Sequence, residues 1–187
     1  DYQLAKMLAR VVRVDPTPFA RICALVNGLF GGKEIETVQV DRDPLNLYEK
    51  YPAHLSFTER ELEYGHNALK RMGIRPDSPW IYLIVRDHAK HPHLPYHSYR
   101  NTDIKDYVLA AEALADRGYY VVRMGKKVLS PMPIKHPRII DFASIEPHDD
   151  FMAVYLGAHC AFCLSSGTGP DAIPVIFRRP ICYVNYV

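Results

Sequence analysis

The strongest constraint on the fold is an alternation that begins at Pro79, where short runs that are apolar throughout take turns with segments of helical periodicity. Five such runs predict strands, over 80–85, 119–123, 138–142, 161–164 and 181–184. A continuous apolar strand is typical of a sheet covered on both faces, and strands that alternate with helices favour parallel order. The sequence therefore predicts an α/β fold, a Rossmann-like parallel sheet with helices on both faces, from 79 to the end.

Helix signals occur in four segments, at 58–73, 103–117, 149–159 and 170–177. Thr58 and Glu61 have the spacing of a capping box at the start of the first segment. Asp149 or Asp150 is predicted to cap the third. Pro174 limits the fourth segment to one or two turns, because proline lacks the amide that a helix interior needs.

The chain divides at about residue 78. Residues 1–78 are predicted to be a partial N-terminal region with a connecting helix, and 79–187 the Rossmann-like domain. Within the first part, Leu4–Val14 has helical periodicity and Ile35–Val40 alternates like a strand. Because the chain stops inside an apolar run, we expect the domain to be truncated at its C-terminus and the chain to be a piece of a longer protein.

Composition excludes several classes of protein. The net charge of +2 is too small to indicate a nucleic-acid partner. No apolar run approaches the roughly 18 residues of a membrane span. The four cysteines include Cys160 and Cys163 at CxxC spacing, but the chain has no second CxxC for a zinc site. We predict that Cys160 and Cys163 are small buried side chains and that the protein resides in a reducing, cytoplasmic compartment.

Polar clusters follow three of the predicted strands, and ligands of open α/β sheets bind beyond the carboxyl ends of strands. Arg86-Asp87-His88 follows the first strand, and the basic run 123–127, with Arg123 and Lys126, follows the second. For each arginine and for Lys126, a ligand contact and a structural salt bridge are equally open. The third cluster is the turn Ser165–Asp171.

The turn Ser165–Asp171 combines small residues with hydroxyls, which lets a ligand approach the backbone. Pro170 at a first helical position presets a helix, and the free amides at a helix start favour an anion. The spacing is neither that of a P-loop nor GxGxxG. A tight strand-to-helix turn remains the alternative.

Other polar segments are explained more simply by local structure than by a functional site. The histidine-rich loop 88–97 has no regular zinc spacing, so we predict a loop that is solvated or covers substrate. The run Tyr99–Asp103 offers hydrogen-bonding groups, although its last residues also suit a helix cap. For His148-Asp149-Asp150, a helix cap is favoured over a carboxylate–histidine site. The triplet Asp41-Arg42-Asp43 runs into a proline, which favours a turn over a metal site.

Four segments together resemble a family of bacterial glycosyltransferases associated with surface-polysaccharide or lipopolysaccharide gene clusters. They read "HLSFTERELEYGHNALKRMGI", "YLIVRD", "YHSYRNTDIKDYVLAAEALADRGYYVVRMG" and "DFMAVYLGAHCAFCLSSGTGPDAIPVIFRRPICYVN". The resemblance covers about 54–185. It implies the nucleotide-sugar-binding half of a GT-B-like enzyme, which normally needs no metal and no cofactor.

The resemblance also implies roles for particular residues. Arg86, Arg123 and the amides of Ser165, Ser166, Gly167 and Thr168 become candidate diphosphate ligands. Asp171 is expected to meet a ribose or sugar hydroxyl, and Asp87 or Asp103 to act as the catalytic base. The remaining substrate-binding candidates are Arg100, Asn101 and Lys126.

The expected partners are a nucleotide-sugar donor and a glycan or glycolipid acceptor, with no nucleic acid. The expected location is the cytoplasm, with peripheral association at the inner face of the membrane as a further expectation. Three alternatives stay open: a polysaccharide-modifying enzyme such as a pyruvyl transferase, a nucleotide-sugar epimerase, and a non-catalytic module that binds nucleotide sugars. The absence of GxGxxG counts against the epimerase, which needs a bound dinucleotide.

Overall fold

A five-stranded, all-parallel sheet with the order β3-β2-β1-β4-β5 forms the centre of the protein. The computed structural model describes residues 2–12, 17–30, 43, 46–75, 77–89 and 95–185. The strands are β1 (Trp80–Ile84), β2 (Tyr120–Met124), β3 (Ile139–Asp141), β4 (Phe162–Ser165) and β5 (Ile181–Tyr183). The five predicted strands and the Rossmann-like class are therefore confirmed, with no strand end shifted by more than one residue.

The strand order reverses on either side of β1. Its register places Trp80 beside Tyr120 of β2, whereas Ile81 lies beside Phe162 of β4. The chain leaves β1 toward β2 and β3 and later returns to the other side of β1 for β4 and β5. Such a reversal opens a crevice beyond the carboxyl ends of the two central strands, where open α/β sheets bind their ligands.

Seven α-helices lie in the described residues. They are α1 (Tyr2–Leu8), α2 (Thr17–Leu29), α3 (Leu47–Lys50), α4 (Glu59–Arg71), α5 (Val108–Asp116), α6 (Asp150–His159) and α7 (Ala172–Ile176). The predicted helix over 103–117 begins as a 3-10 turn, Ile104–Tyr107, and only then becomes α5. Asp149 caps α6 by accepting a hydrogen bond from the amide of Met152, as one of the two predicted caps.

Helices cover both faces of the sheet. Tyr82 and Ile84 of β1 point to the face where α4 and α6 pack, and they share its core with Leu69 and Leu156. Alternate residues of β1, including Leu83, join α5 on the opposite face. This two-sided burial explains why the strands are apolar throughout.

Helix α4 begins at the predicted capping box. The Thr58 hydroxyl accepts from the amide of Glu61, and the Glu61 carboxylate accepts from the amide of Thr58. Ala68 and Leu69 of this helix belong to the same core as β1. The helix is thus an integral layer of the sheet domain, and the division at 78 stays a prediction.

The N-terminal region is described only in part. The predicted helix Leu4–Val14 is shorter than expected, since α1 ends at Leu8 and a turn follows. Asp43 accepts hydrogen bonds from the amides at the start of α3, whereas the rest of the Asp41–Asp43 triplet and the predicted strand Ile35–Val40 lie outside the described residues. No helix in the described ranges is long and apolar enough to cross a membrane.

Candidate functional site

A cavity of about 440 Å³ lies beyond the carboxyl ends of β1 and β2, at the reversal of the strand order. We call it the strand-end cavity. Its basic lining residues are Arg86, Arg100, Lys126 and Lys127. Its other polar lining residues are Asp87, His88, Asn101 and Thr168. The predicted site residues that the structure brings together here are Arg86, Asp87, Arg100, Asn101, Lys126 and Thr168.

Arg86 follows β1, and its backbone is held from two sides. Its amide donates to the hydroxyl of Ser166 at 2.8 Å, and its carbonyl accepts from the amide of Thr102 at 2.9 Å. The guanidinium is half-buried and makes no hydrogen bond or ion pair with any described residue. An arginine side chain at a cavity wall without a protein partner is available for an anionic ligand.

Arg100 connects two walls of the cavity. It ends the 3-10 helix Pro95–Arg100, and its Nη2 donates to the carbonyl of Gly167 at 3.0 Å. A guanidinium has five donors, so this contact leaves others for a ligand. Lys126 differs, because its ammonium already contacts both carboxylate oxygens of Asp150, at 3.0 and 3.2 Å.

Asp87 lies at the cavity wall but is tied to the backbone. One carboxylate oxygen accepts from the amide of Ala89 and the other from the amide of Leu129, both at 2.9 Å. The second contact joins the segment after β1 to the loop after β2. Each oxygen retains a second lone pair, so the carboxylate still has acceptor capacity toward the cavity.

The amides of Ser166, Gly167 and Thr168 in the turn Ser165–Asp171 already have acceptors within the protein, in contrast to their predicted role. The amide of Ser166 donates to the carbonyl of Ile84, that of Gly167 to the Ser165 hydroxyl, and that of Thr168 to Asp171. Because these donors already have acceptors, they do not form the predicted diphosphate cradle. The helix that follows is also short, since α7 has five residues and is preceded by a 3-10 turn.

Three side chains of this turn are buried rather than presented to a ligand. Ser165, Ser166 and Asp171 are 0%, 2% and 7% exposed, and none of them lines the strand-end cavity. The Asp171 carboxylate accepts from the Ser165 hydroxyl at 2.5 Å and from the Thr168 amide at 2.8 Å. Burial raises the pKa of Asp171, and these two hydrogen bonds oppose the rise. Its predicted contact with a ribose or sugar hydroxyl is therefore replaced by a structural one.

Arg123 is also placed away from the strand-end cavity, and it makes the structural salt bridge that the sequence left open as the alternative to a ligand contact. It lies within β2, with a side chain that is 1% exposed. Its Nη1 donates to the carbonyl of Ser130 at 2.6 Å and lies 3.4 Å from Asp141 of β3. The guanidinium therefore fastens the long loop between β2 and β3 to the sheet.

Asp103, the second predicted catalytic carboxylate, lies outside the strand-end cavity. It is exposed and caps the 3-10 turn by accepting from the amide of Lys105 at 3.0 Å. The capping alternative that the sequence left open is therefore the one observed.

A second cavity of about 430 Å³ adjoins the first on the side of α6. We call it the α6-side lobe; its polar lining residues are Tyr82, Lys126, His148 and Asp150. The sequence drew attention to His148 and Asp150 but favoured a cap for that segment. It gave no signal for Tyr82, because a tyrosine inside an apolar strand looks like any other core residue.

No group of acidic, histidine or cysteine side chains among the described residues is arranged to hold a metal ion. Residues 90–94 of the predicted histidine-rich loop lie outside those residues. Cys160 and Cys163 are fully buried and unpaired, as predicted from their place in an apolar run.

Comparison with known proteins leaves the family open. No family model matches the chain, and no solved structure matches it. An uncharacterized protein of Methanocaldococcus jannaschii is 34% identical over 68 residues. That match covers 35% of this chain and 63% of the relative's length, so the chain spans less than two thirds of it. The resemblance to glycosyltransferases thus stays a prediction.

Proposed function

We propose that the protein is a metal-independent glycosyltransferase that moves a sugar from a nucleotide-sugar donor to a surface-glycan acceptor. In this proposal the described domain is the nucleotide-sugar-binding half of a GT-B-like enzyme. The observation that carries the proposal is the unpaired Arg86 guanidinium at the strand-order reversal, in a cavity with three further basic side chains.

The charge of the strand-end cavity favours a diphosphate. Arg86, Arg100, Lys126 and Lys127 line it together with one carboxylate, Asp87, and Lys126 is already paired with Asp150. A cavity lined mainly by one sign of charge concentrates ligands of the opposite sign. Arginine also matches phosphate oxygens with two parallel donors. Fixed cations of this kind can stabilise the negative charge on a departing nucleoside diphosphate without a metal ion.

Asp87 is the candidate catalytic base. Of the two carboxylates that the sequence predicted for this role, it is the one that lines the strand-end cavity. A base must lie within hydrogen-bond reach of the acceptor hydroxyl from which it takes the proton. The two backbone amides that hold Asp87 fix the position of its carboxylate.

The proposal extends to the partners and the location of the enzyme. We infer a glycan or glycolipid acceptor and a cytoplasmic site of action, with peripheral contact with the inner face of the membrane. The resemblance supports these inferences.

The test is turnover of a panel of isotope-labelled nucleotide sugars by the full-length protein, with and without membrane glycolipid as acceptor. We expect the labelled sugar to move from the nucleotide to the acceptor. When the acceptor is left out, hydrolysis of the donor should be slower than this transfer. Nucleotide-sugar binding without transfer would instead indicate a binding module. Absence of binding across the panel, measured by thermal shift, would overturn every nucleotide-based function.

A further inference from the structure

The α6-side lobe lies next to the strand-end cavity and has a different chemistry. We propose that it binds the sugar ring of the donor, with the Tyr82 hydroxyl at its inner end and the Asp150 carboxylate at its outer end. This inference rests on the proposed function, because it divides the donor into a diphosphate in the strand-end cavity and a sugar in the lobe.

Tyr82 supplies the first argument. Its side chain is only 1% exposed, it lines the lobe, and its hydroxyl makes no hydrogen bond with any residue in the described ranges. The hydroxyl opens into the lobe and is not among the sealed, unpartnered polar atoms of the described residues, so it keeps its donor and acceptor for a ligand. A hydroxyl of a bound ligand would supply its partner.

Asp150 supplies the second argument. Its carboxylate contacts the ammonium of Lys126, and Oδ1 lies 3.7 Å from Nε2 of His148. The Lys126 ammonium is the one hydrogen-bond donor to this carboxylate in the described residues, so the carboxylate keeps lone pairs for further hydrogen bonds. The two oxygens of a carboxylate suit a pair of neighbouring hydroxyls, which a sugar ring presents and a nucleoside diphosphate alone offers only on its ribose.

The two cavities adjoin each other. They share the lining residues Ile84, Met124, Gly125, Lys126, Gly169 and Pro170. The group attached to a diphosphate near Arg86 therefore has two possible directions, toward the lobe or away from it. The lobe is the direction that offers hydroxyl and carboxylate partners together with an apolar wall, formed in part by Ile173.

The test compares the affinity for a nucleoside diphosphate with that for its sugar conjugate, by calorimetry on the full-length protein. The pairs are UDP with UDP-glucose and UDP-N-acetylglucosamine, GDP with GDP-mannose, ADP with ADP-glucose, and dTDP with dTDP-glucose. We expect tighter binding of at least one conjugate. Tyr82→Phe should reduce that preference about three- to tenfold, and Asp150→Asn about tenfold or more, since the latter removes a charged acceptor.

Matched controls separate the lobe from general effects on folding. Tyr155→Phe removes a hydroxyl from the same core cluster but outside the lobe, and Asp149→Asn neutralises the neighbouring carboxylate while keeping a good helix cap. Both should leave the preference unchanged.

Three results would contradict the proposal. If the wild-type protein binds nucleoside diphosphates but prefers no conjugate, the sugar site in the lobe is wrong and the proposed function survives. If Tyr82→Phe and Asp150→Asn lose as much affinity for the diphosphate as for its sugar conjugate, the sugar site in the lobe is likewise wrong and the proposed function survives. If the wild-type protein binds neither class of ligand, both the lobe assignment and the proposed function are overturned.

Discussion

The backbone amide of Arg86 and the hydroxyl of Ser166 are joined by a 2.8 Å hydrogen bond across the carboxyl ends of β1 and β4. The two residues are 80 positions apart in the chain, and the contact spans the point where the strand order reverses. Because the backbone of Arg86 is fixed there and the guanidinium is not, the side chain alone can adjust to a ligand.

Arg86→Ala should weaken binding of a nucleoside diphosphate about tenfold or more, since a charge-assisted pair with phosphate is lost. Calorimetry with the diphosphate that binds the wild-type protein most tightly measures the change. Arg117→Ala is the control, because Arg117 is exposed and, among the described residues, its guanidinium contacts only the carbonyl of Ala113 on α5. An unchanged affinity in Arg86→Ala would remove Arg86 from the site.

Arg123→Met should destabilise the fold without a direct effect on ligand contacts. The variant removes the buried guanidinium from the Ser130 carbonyl and from the Asp141 carboxylate, which keeps only its neutral donors, the Met132 amide and the Ser144 hydroxyl, among the described residues. We expect a loss of about 3 kcal/mol in the free energy of unfolding, measured by urea denaturation. Arg86→Met is the comparison, and it should lose affinity while keeping its stability. A stable Arg123→Met protein would show that the guanidinium does not hold the loop.

Glu61→Gln should change the pH dependence of stability. The hydrogen bonds from Arg10 are the main reason that the pKa of Glu61 is lowered from 4.5 to about 2. The unfolded chain then binds the proton more readily, so the stabilisation is present above pH 4.5 and is lost as the pH falls toward about 2. The ion pair is partly exposed, so its contribution is roughly 1 to 2 kcal/mol.

Urea denaturation of the wild-type protein and Glu61→Gln across this pH range measures that contribution. The difference between the two proteins should be largest above pH 4.5 and shrink below it. Glu63→Gln, an exposed change on the same helix, should follow the wild-type curve. A difference that does not depend on pH would show that the charge of Glu61 is not its source.

Alkylation should divide the four cysteines into two pairs. Cys23 and Cys182 are exposed, whereas burial raises the pKa of the Cys160 thiol to about 12 and also raises that of Cys163. Since the thiolate is the reactive form, iodoacetamide should modify the exposed pair in the native protein and all four cysteines in urea. Peptide mass spectrometry distinguishes the sites. Rapid labelling of Cys163 under native conditions would contradict the burial of β4.

The elements of the sheet domain could be predicted because their signals are local. A continuous apolar run identifies a strand, and Thr58 with Glu61 identifies the start of α4 within a few residues of sequence. The place of the cavity also followed from a general rule, that ligands meet parallel sheets at the carboxyl ends of strands.

The roles of single side chains could not be predicted in the same way. Arg86 and Arg123 both stand at or near a strand end, yet one faces the cavity and the other is buried against Asp141. Which of these occurs depends on strand register and on the path of the loop between β2 and β3. The same holds for Asp171, whose partners are decided by the fold of its own turn.

The closed set of hydrogen bonds in the turn Ser165–Asp171 has a consequence for the kinetics of binding. The conformational entropy of this segment is lost during folding, so a ligand does not have to order it on arrival. Association at this wall should then be limited by diffusion and charge attraction, with a rate that falls as salt is added. A slow conformational step during binding would therefore have to involve a part of the protein other than this turn.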